Sequence, residues 1–278
     1  MARITRKTRF CAAHAFWLDG ADDAENRRRF GLAARRHGHN YELEAAIDGP
    51  IDPQTGMAMN LRDLKAILDE VVRAPLDFAD LNADVPALAG RLPSLETLAD
   101  FLWPALAQRV SAAGLTLAWI RLYESEDLFV ERHPHSAAAL TLHRRYDFCA
   151  SHRLYNPSLS EAENARIFGK CANPNGHGHN YELTVAIAGE PDPQTGLLTD
   201  LPALDDAVGE TLLRWVDHKD LNRDAPFLSG VIPTAENLVV AFWRQLAPQI
   251  PPPARLARLR LLETRNNFAE YAGEDESV

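Results

Sequence analysis

Apolar and polar residues alternate in several short runs of this chain. Residues 41–48 and 181–188 alternate, as do residues 148–152, 115–124 and 256–263. A period of two places successive side chains on opposite faces and predicts half-buried strands. Between them the period lengthens. Leu61, Leu64, Leu68 and Val71 recur at helical spacing, as do Leu201, Leu204, Val208 and Leu212. A second helix is expected after Ser94 and again after Thr234. Each hydroxyl residue can accept from an unpaired N–H of the first turn, and Glu96 or Glu236 supplies the acidic residue that a helix start favours.

The pattern occurs twice. HGHNYEL fills residues 37–43 and 177–183, and DPQTG fills 52–56 and 192–196. FCAAH at 10–14 matches FCASH at 148–152, and Asp80-Leu81-Asn82 matches Asp220-Leu221-Asn222. Pro93 and Glu96 match Pro233 and Glu236, and Arg121, Leu122 and Glu124 match Arg260, Leu261 and Glu263. The spacing, near half of 278 residues, is too long for a solenoid unit and reads as a domain duplicated in tandem. Each half reads β-β-α-α-β-β, an α+β layer with an antiparallel sheet and two helices on one face. The expected domains are 1–132 and 139–278, with the junction at 133–138.

Composition narrows the function classes. Apolar residues make up 46% and charged residues 24%, enough to build two cores. Lys plus Arg is 29 against 39 Asp plus Glu, a net charge of −10. That balance argues against a nucleic-acid or anionic-membrane partner, while leaving room for a small anionic substrate held by local cations. Three cysteines do not suggest a disulfide scaffold. The basic start MARITRKTRF is followed by no apolar signal core, and no run is long enough to span a membrane. A soluble, cytoplasmic protein is expected.

Six of the ten histidines fall into two matching trios. His177 and His179 are two apart where a strand begins, so both can aim at one ion. His152 ends another strand pattern. Three neutral imidazoles with an open fourth position are a known design for catalytic zinc. The first half repeats the set as His14, His37 and His39. Either set could instead be satisfied core histidines, but their retention in both halves favours metal. Zinc is the default for three imidazoles, although imidazole also suits copper, iron and nickel.

Two further features differ between the halves. Cys171 lies five residues before His177, across a turn-rich NPNG segment. A thiol near a cation can lose its proton and act as a base. Asp217-His218 offers an imidazole beside an acid, the components of proton transfer. Alone, the cysteine could be a small buried hydrophobe and the acid–imidazole pair a solvated helix end. The first half lacks both: FGLAARRHGH has no cysteine, and Asp77-Phe78 replaces Asp217-His218. Their joint absence links Cys171 and His218 to one task confined to the second half. Cys11 and Cys149 match each other inside the first strand and are expected to pack.

FCASHRLYNP, FGKCANPNGHGHNYEL, DPQTG, DHKDLN, TAEN and LLETRNN together resemble the 6-pyruvoyl-tetrahydropterin synthase and 6-carboxytetrahydropterin synthase family. The resemblance covers nearly all of the second half, and the first half looks like a degenerate copy. It implies the tunnelling fold, in which subunits join sheets into a barrel with helices outside. It implies zinc at His152, His177 and His179, catalysis by Cys171, Asp217 and His218, and a pterin anchored by Glu263, with Thr234 and Glu236 on the substrate-binding side. The implied reaction is conversion of 7,8-dihydroneopterin triphosphate to 6-pyruvoyl-tetrahydropterin with loss of triphosphate. The longer Cys171-to-His177 spacing and the NPNGHGHNY wording resemble the pyruvoyl branch. The 6-carboxytetrahydropterin branch, which leads toward 7-deazaguanines such as queuosine, is the alternative. A non-catalytic metal- or pterin-binding protein and a metal-assisted hydrolase are readings of other classes. Family members form six-domain assemblies, so a homotrimer of this two-domain chain is expected.

Overall fold

The computed structural model describes residues 1–134 and 139–273. Most of the expected junction, and the last five residues, lie outside the described residues. The chain divides into two compact units. The first contains Met1–His143 together with Gly189–Leu198, and the second contains Arg144–Ala188 and Thr199–Val278.

In the first unit, β1 (Ala2–His14) pairs antiparallel with β2 (His37–Gly49) along its whole length, from Ala2 opposite Gly49 to His14 opposite His37. The sheet continues through β4 (Thr116–Ser125) to β5 (Leu128–Arg132). A short parallel strand, β3 (Ala79–Asp80), joins the other side of β1. In the second unit, β6 (Leu140–His152), which belongs to this unit from Arg144 onward, lies beside β7 (His177–Ala188), which pairs with β9 (Arg255–Thr264) and then β10 (Asn267–Tyr271). The short β8 (Lys219–Asp220) runs parallel beside Ala150 and Ser151. The α+β reading therefore holds in both repeats.

The anticipated helices are present. Leu95–Ala112 packs on β4, and Ala235–Leu246 packs on β9 and β10. Their caps follow the sequence rule: Ser94 accepts from the Thr97 N–H and Thr234 from the Asn237 N–H. One helix per repeat was not anticipated, Asp23–Phe30 and its counterpart Glu161–Phe168. These segments are largely polar and bury only Asn26 and Asn164, so no apolar stripe marks them. Each asparagine is held by main-chain carbonyls, Asn164 for instance by those of Asn156, Leu159 and Ser160. Beneath the long helices the sheet face is apolar. Phe10 stacks on Tyr41 at 4.9 Å between ring centroids, and Phe148 on Tyr181 at 4.8 Å.

Candidate metal centre and catalytic groups

Strand alternation builds the centre. On β6, Phe148, Ala150 and His152 are buried, while Cys149 and Ser151 are exposed on the other face. On β7, His177, His179 and Tyr181 take the core-facing register. Gly178 separates the two histidines where the strands approach closely: a Cβ there would lie 3.1 Å from the Ala150 carbonyl oxygen. Gly176, at φ 67°, turns the chain into β7, and a Cβ there would lie 2.9 Å from the His152 carbonyl.

The result is a cluster of three imidazoles. Ring centroids of His152 lie 4.5 Å from His177 and 5.2 Å from His179, and one nitrogen from each ring can be chosen so that all lie within 4.8 Å of one another. His152 Nδ1 is 2.8 Å from the Pro233 carbonyl. A carbonyl only accepts, so Nδ1 carries the proton and Nε2 presents a lone pair to the cluster. Burial, reinforced by the neighbouring imidazoles, pulls the His152 pKa down to about 4. The His177 pKa is lowered for the same reasons. The His152 and His177 rings are thus neutral near pH 7, as metal ligands must be. Glu263, on β9, brings its carboxylate within 3.7 Å of His152 Nε2 and 3.9 Å of His179 Nε2.

The first repeat builds the same object from His14, His37 and His39, with centroid separations of 4.6, 5.1 and 4.9 Å. The Pro93 carbonyl takes the Nδ1 proton of His14 at 2.9 Å, and burial lowers the His14 pKa to about 4. Here the fit to a metal is sharper still. Nε2 of His14 and Nε2 of His39 are both buried without a hydrogen-bond partner. A buried polar atom left unpaired is costly, and a cation between the rings would satisfy both. The donor set of three imidazoles suits a borderline divalent ion such as zinc in either repeat.

The structure separates groups that the sequence grouped. Cys171 lies on a short 3₁₀ turn, Gly169–Ala172, held where its carbonyl accepts from the Leu154 N–H at 2.9 Å. Asp217 and His218 gather instead around Cys149. Asp217 Oδ1 accepts from the Cys149 N–H at 3.0 Å and lies 2.9 Å from His218 Nδ1. Burial raises the Asp217 pKa, but those donors outweigh it and hold the carboxyl below its ordinary value. His218 adopts φ 56° and its side chain is 80% exposed. Cys149, expected to pack, is exposed, and its thiol lies 3.2 Å from Asn180 Oδ1. Because Cys149 alternates with His152, this group stands on the sheet face opposite the imidazole cluster. The first repeat keeps the arrangement without the chemistry. Asp77 accepts from the Cys11 N–H, and Phe78, at φ 62° and 86% exposed, occupies the place of His218.

Thr234 caps its helix, one residue beyond the Pro233 carbonyl that orients His152, and Glu236 is exposed on the first turn. Sequence reasoning missed three contributors: the Pro93 and Pro233 carbonyls and Glu124. Glu124 lies 3.7 Å from His39 Nε2, as Glu263 lies near His179. The repeat alignment already paired these residues, but only the fold shows what they face.

The family model for 6-pyruvoyl tetrahydropterin synthase matches residues 3–134 and again 141–274. The 6-pyruvoyl tetrahydrobiopterin synthase of Pongo abelii is 45% identical over 131 residues, 47% of this chain and 90% of the relative. That of Homo sapiens is 44% identical over the same shares. A putative 6-carboxy-5,6,7,8-tetrahydropterin synthase of Archaeoglobus fulgidus is 34% identical over 95 residues, 34% of this chain and 73% of the relative. Among solved structures, the 6-pyruvoyl tetrahydropterin synthase of Caenorhabditis elegans aligns with 48% of this chain and 95% of its own, at 38% identity and a TM-score of 0.46. With both repeats matched nearly end to end, each carrying its three imidazoles and its strand-borne glutamate, the chain belongs to the 6-pyruvoyl tetrahydropterin synthase family.

Proposed function

We propose that the second repeat is a zinc-dependent carbon–oxygen lyase that converts 7,8-dihydroneopterin triphosphate to 6-pyruvoyl-tetrahydropterin. The observation that carries this is the imidazole trio of buried His152 with the half-buried His177 and His179, with the Glu263 carboxylate beside it, in a repeat that also carries Cys171 and Asp217-His218. The 45% identity to a named 6-pyruvoyl tetrahydrobiopterin synthase supports the pyruvoyl product over the carboxy product, for which the likeness is 34%.

His152, His177 and His179 would hold the zinc, which would supply a Lewis acid for the substrate hydroxyls and so acidify the neighbouring carbon. Glu263 accepts hydrogen bonds from the amino-pyrimidine edge of the pterin and so fixes the ring. Cys171, as thiolate, takes the proton from the substrate side chain. His218, oriented through Nδ1 by Asp217, returns a proton. The triphosphate leaves as the carbon–oxygen bond breaks and the resulting enol becomes one ketone; the remaining side-chain carbinol is oxidised to the second ketone as its two hydrogens pass by tautomerisation to the dihydropterin ring, an internal redox shift that needs no external reductant. Since His218 stands on the sheet face opposite its own repeat's trio, the His218 that serves a given Cys171 comes from a second copy of the chain. Three copies would supply the six repeats of the expected homotrimer. The first repeat binds metal but lacks both proton-transfer groups, and so contributes structure.

Among the described residues, no helix is long and apolar enough to cross a membrane. All three cysteines are free thiols, which fits a reducing cytoplasm. The decisive experiment is to incubate zinc-loaded protein with dihydroneopterin triphosphate and identify the products by mass spectrometry. A 6-carboxy product, simple phosphate-ester hydrolysis, or binding without turnover would each overturn the assignment.

A further inference from the structure

Across the sheet from its imidazole trio, the second repeat carries another set of metal-ligating side chains. Cys149 Sγ, one His218 ring nitrogen and one Asp217 carboxylate oxygen all lie within 4.8 Å of one another, the same limit that the two imidazole trios meet. The Cys149 thiol is exposed and takes no part in the proton transfers assigned above. Together with Asn180, His218 and Lys219 it lines an open cleft of about 710 Å³, so an ion has an entry path from solvent. Thiolate, imidazole and carboxylate all ligate metals, and the soft sulfur favours a zinc-like ion over magnesium or calcium.

The first repeat supplies an internal control. Its main chain makes the same bonds: the Phe78 N–H donates to the Cys11 carbonyl as the His218 N–H does to that of Cys149, both at 2.6 Å. Asp77 accepts from the Cys11 N–H as Asp217 does from that of Cys149, both at 3.0 Å. Each thiol donates to an asparagine, Asn40 or Asn180. Two side chains differ. Phe78 stands where the second repeat has the His218 imidazole. Arg73 donates to Asp77 Oδ2 at 2.7 Å, and its counterpart in the second repeat is Leu213. Among the described residues Asp217 pairs with no arginine or lysine, and the bonds from Cys149 and His218 both fall on Oδ1. The second repeat thus has an added nitrogen ligand and lacks the cation that neutralises the carboxylate in the first. A divalent ion would restore that charge balance against one thiolate and one carboxylate.

We propose that Cys149, Asp217 and His218 form a regulatory metal site, separate from the trios, for a zinc-like divalent ion. On binding, the Cys149 S–H bond breaks, its proton passes to solvent and a sulfur–metal bond forms, with no change of oxidation state. The thiol gives up its hydrogen bond to Asn180. The site fills after the trios. Its side chains are exposed, His218 by 80%, and lose freedom when an ion orders them. His14 and His152, by contrast, are buried and already oriented by the Pro93 and Pro233 carbonyls. An ion held at His218 occupies the imidazole that returns a proton, so excess metal arrests turnover. The site stands on its three residues, and only this arrest rests on the proposed lyase reaction.

The test titrates cobalt(II) into full-length protein whose trios hold zinc. A sulfur-to-cobalt charge-transfer absorption should rise and saturate at one cobalt per chain; no trio residue is a cysteine, so the trios are silent in it. Cys149→Ser and His218→Phe should lose this absorption, with cobalt binding weakened at least about tenfold, while circular dichroism shows each variant folded. Phenylalanine is accommodated at this backbone geometry, since Phe78 adopts φ 62° where His218 adopts 56°. Cys171→Ala should keep the absorption. In turnover assays with dihydroneopterin triphosphate, Cys149→Ser should keep the basal rate and lose the inhibition that excess zinc exerts on the wild type. No absorption in the wild type, or an absorption unchanged in folded Cys149→Ser or His218→Phe, would overturn the site. Inhibition that persists undiminished in Cys149→Ser would overturn its regulatory role. Wild-type protein without turnover would overturn the lyase assignment instead, and the cobalt titration would still decide the site.

Discussion

Removing metal should make the stability of this protein steeply dependent on pH, and His152 provides a clean probe. The ordinary value for a histidine is 6.5, and burial holds His152 at about 4. An unfolded chain therefore binds protons at this ring from about pH 6.5 downward, while the folded ring resists until about pH 4. Stability contributed by the neutral ring is complete above 6.5, falls through that window and is lost below about 4. At about 1.4 kcal/mol per unit, the loss is about 3 kcal/mol, and His14, also held at about 4, doubles it to about 6 kcal/mol. The perturbation is His152→Asn. An asparagine Nδ2 can still donate to the Pro233 carbonyl that now accepts from Nδ1 at 2.8 Å, but it does not titrate. Urea unfolding of chelator-treated protein, repeated across the window, gives the slope for each form. The variant should keep the first repeat's share of the dependence and lose about half of the total. An unchanged slope in His152→Asn, or stability in the metal-free wild type that stays flat as pH falls, would refute the reasoning. Restoring metal should move the wild-type transition to lower pH, since the ion competes with protons for the same lone pairs.

The remaining predictions concern the division of labour between repeats. Elemental analysis of carefully loaded protein should give two metal ions per chain, falling to one in His37→Ala with little change in the chemical step. Cys171→Ala should lower turnover by roughly 10²–10⁴-fold with metal content and folding intact, whereas Cys11→Ala should leave turnover nearly unchanged. Because His218 faces away from its own repeat's imidazoles, Cys171→Ala and His218→Ala should each be nearly inactive, yet mixed subunits refolded together should recover part of the activity. No recovery in a mixed assembly would place His218 and Cys171 in the same copy.

Much of this protein follows from local pattern. A period of two in residues 148–152 and 177–183 is a statement about which side chains share a face, so the imidazole trio could be read before any coordinates. The same holds for the caps at Ser94 and Thr234, since a hydroxyl ahead of an apolar helical stripe acts within one turn. Other features depend on distance in space. Helices Asp23–Phe30 and Glu161–Phe168 escape notice because a buried asparagine holding a loop leaves no periodic trace. Sequence adjacency made Cys171 the natural partner of the metal loop, and loss of the pair in the first half linked it to His218. It took the parallel pairing of β8 with β6 to show that His218 stands beside Cys149, across the sheet from the trio. Repeat equivalence matched Glu96 to Glu236, yet one is buried under Leu198 and the other exposed. Identical local codes end in different environments because burial is set by which distant segment arrives, and that is decided only when the chain has folded.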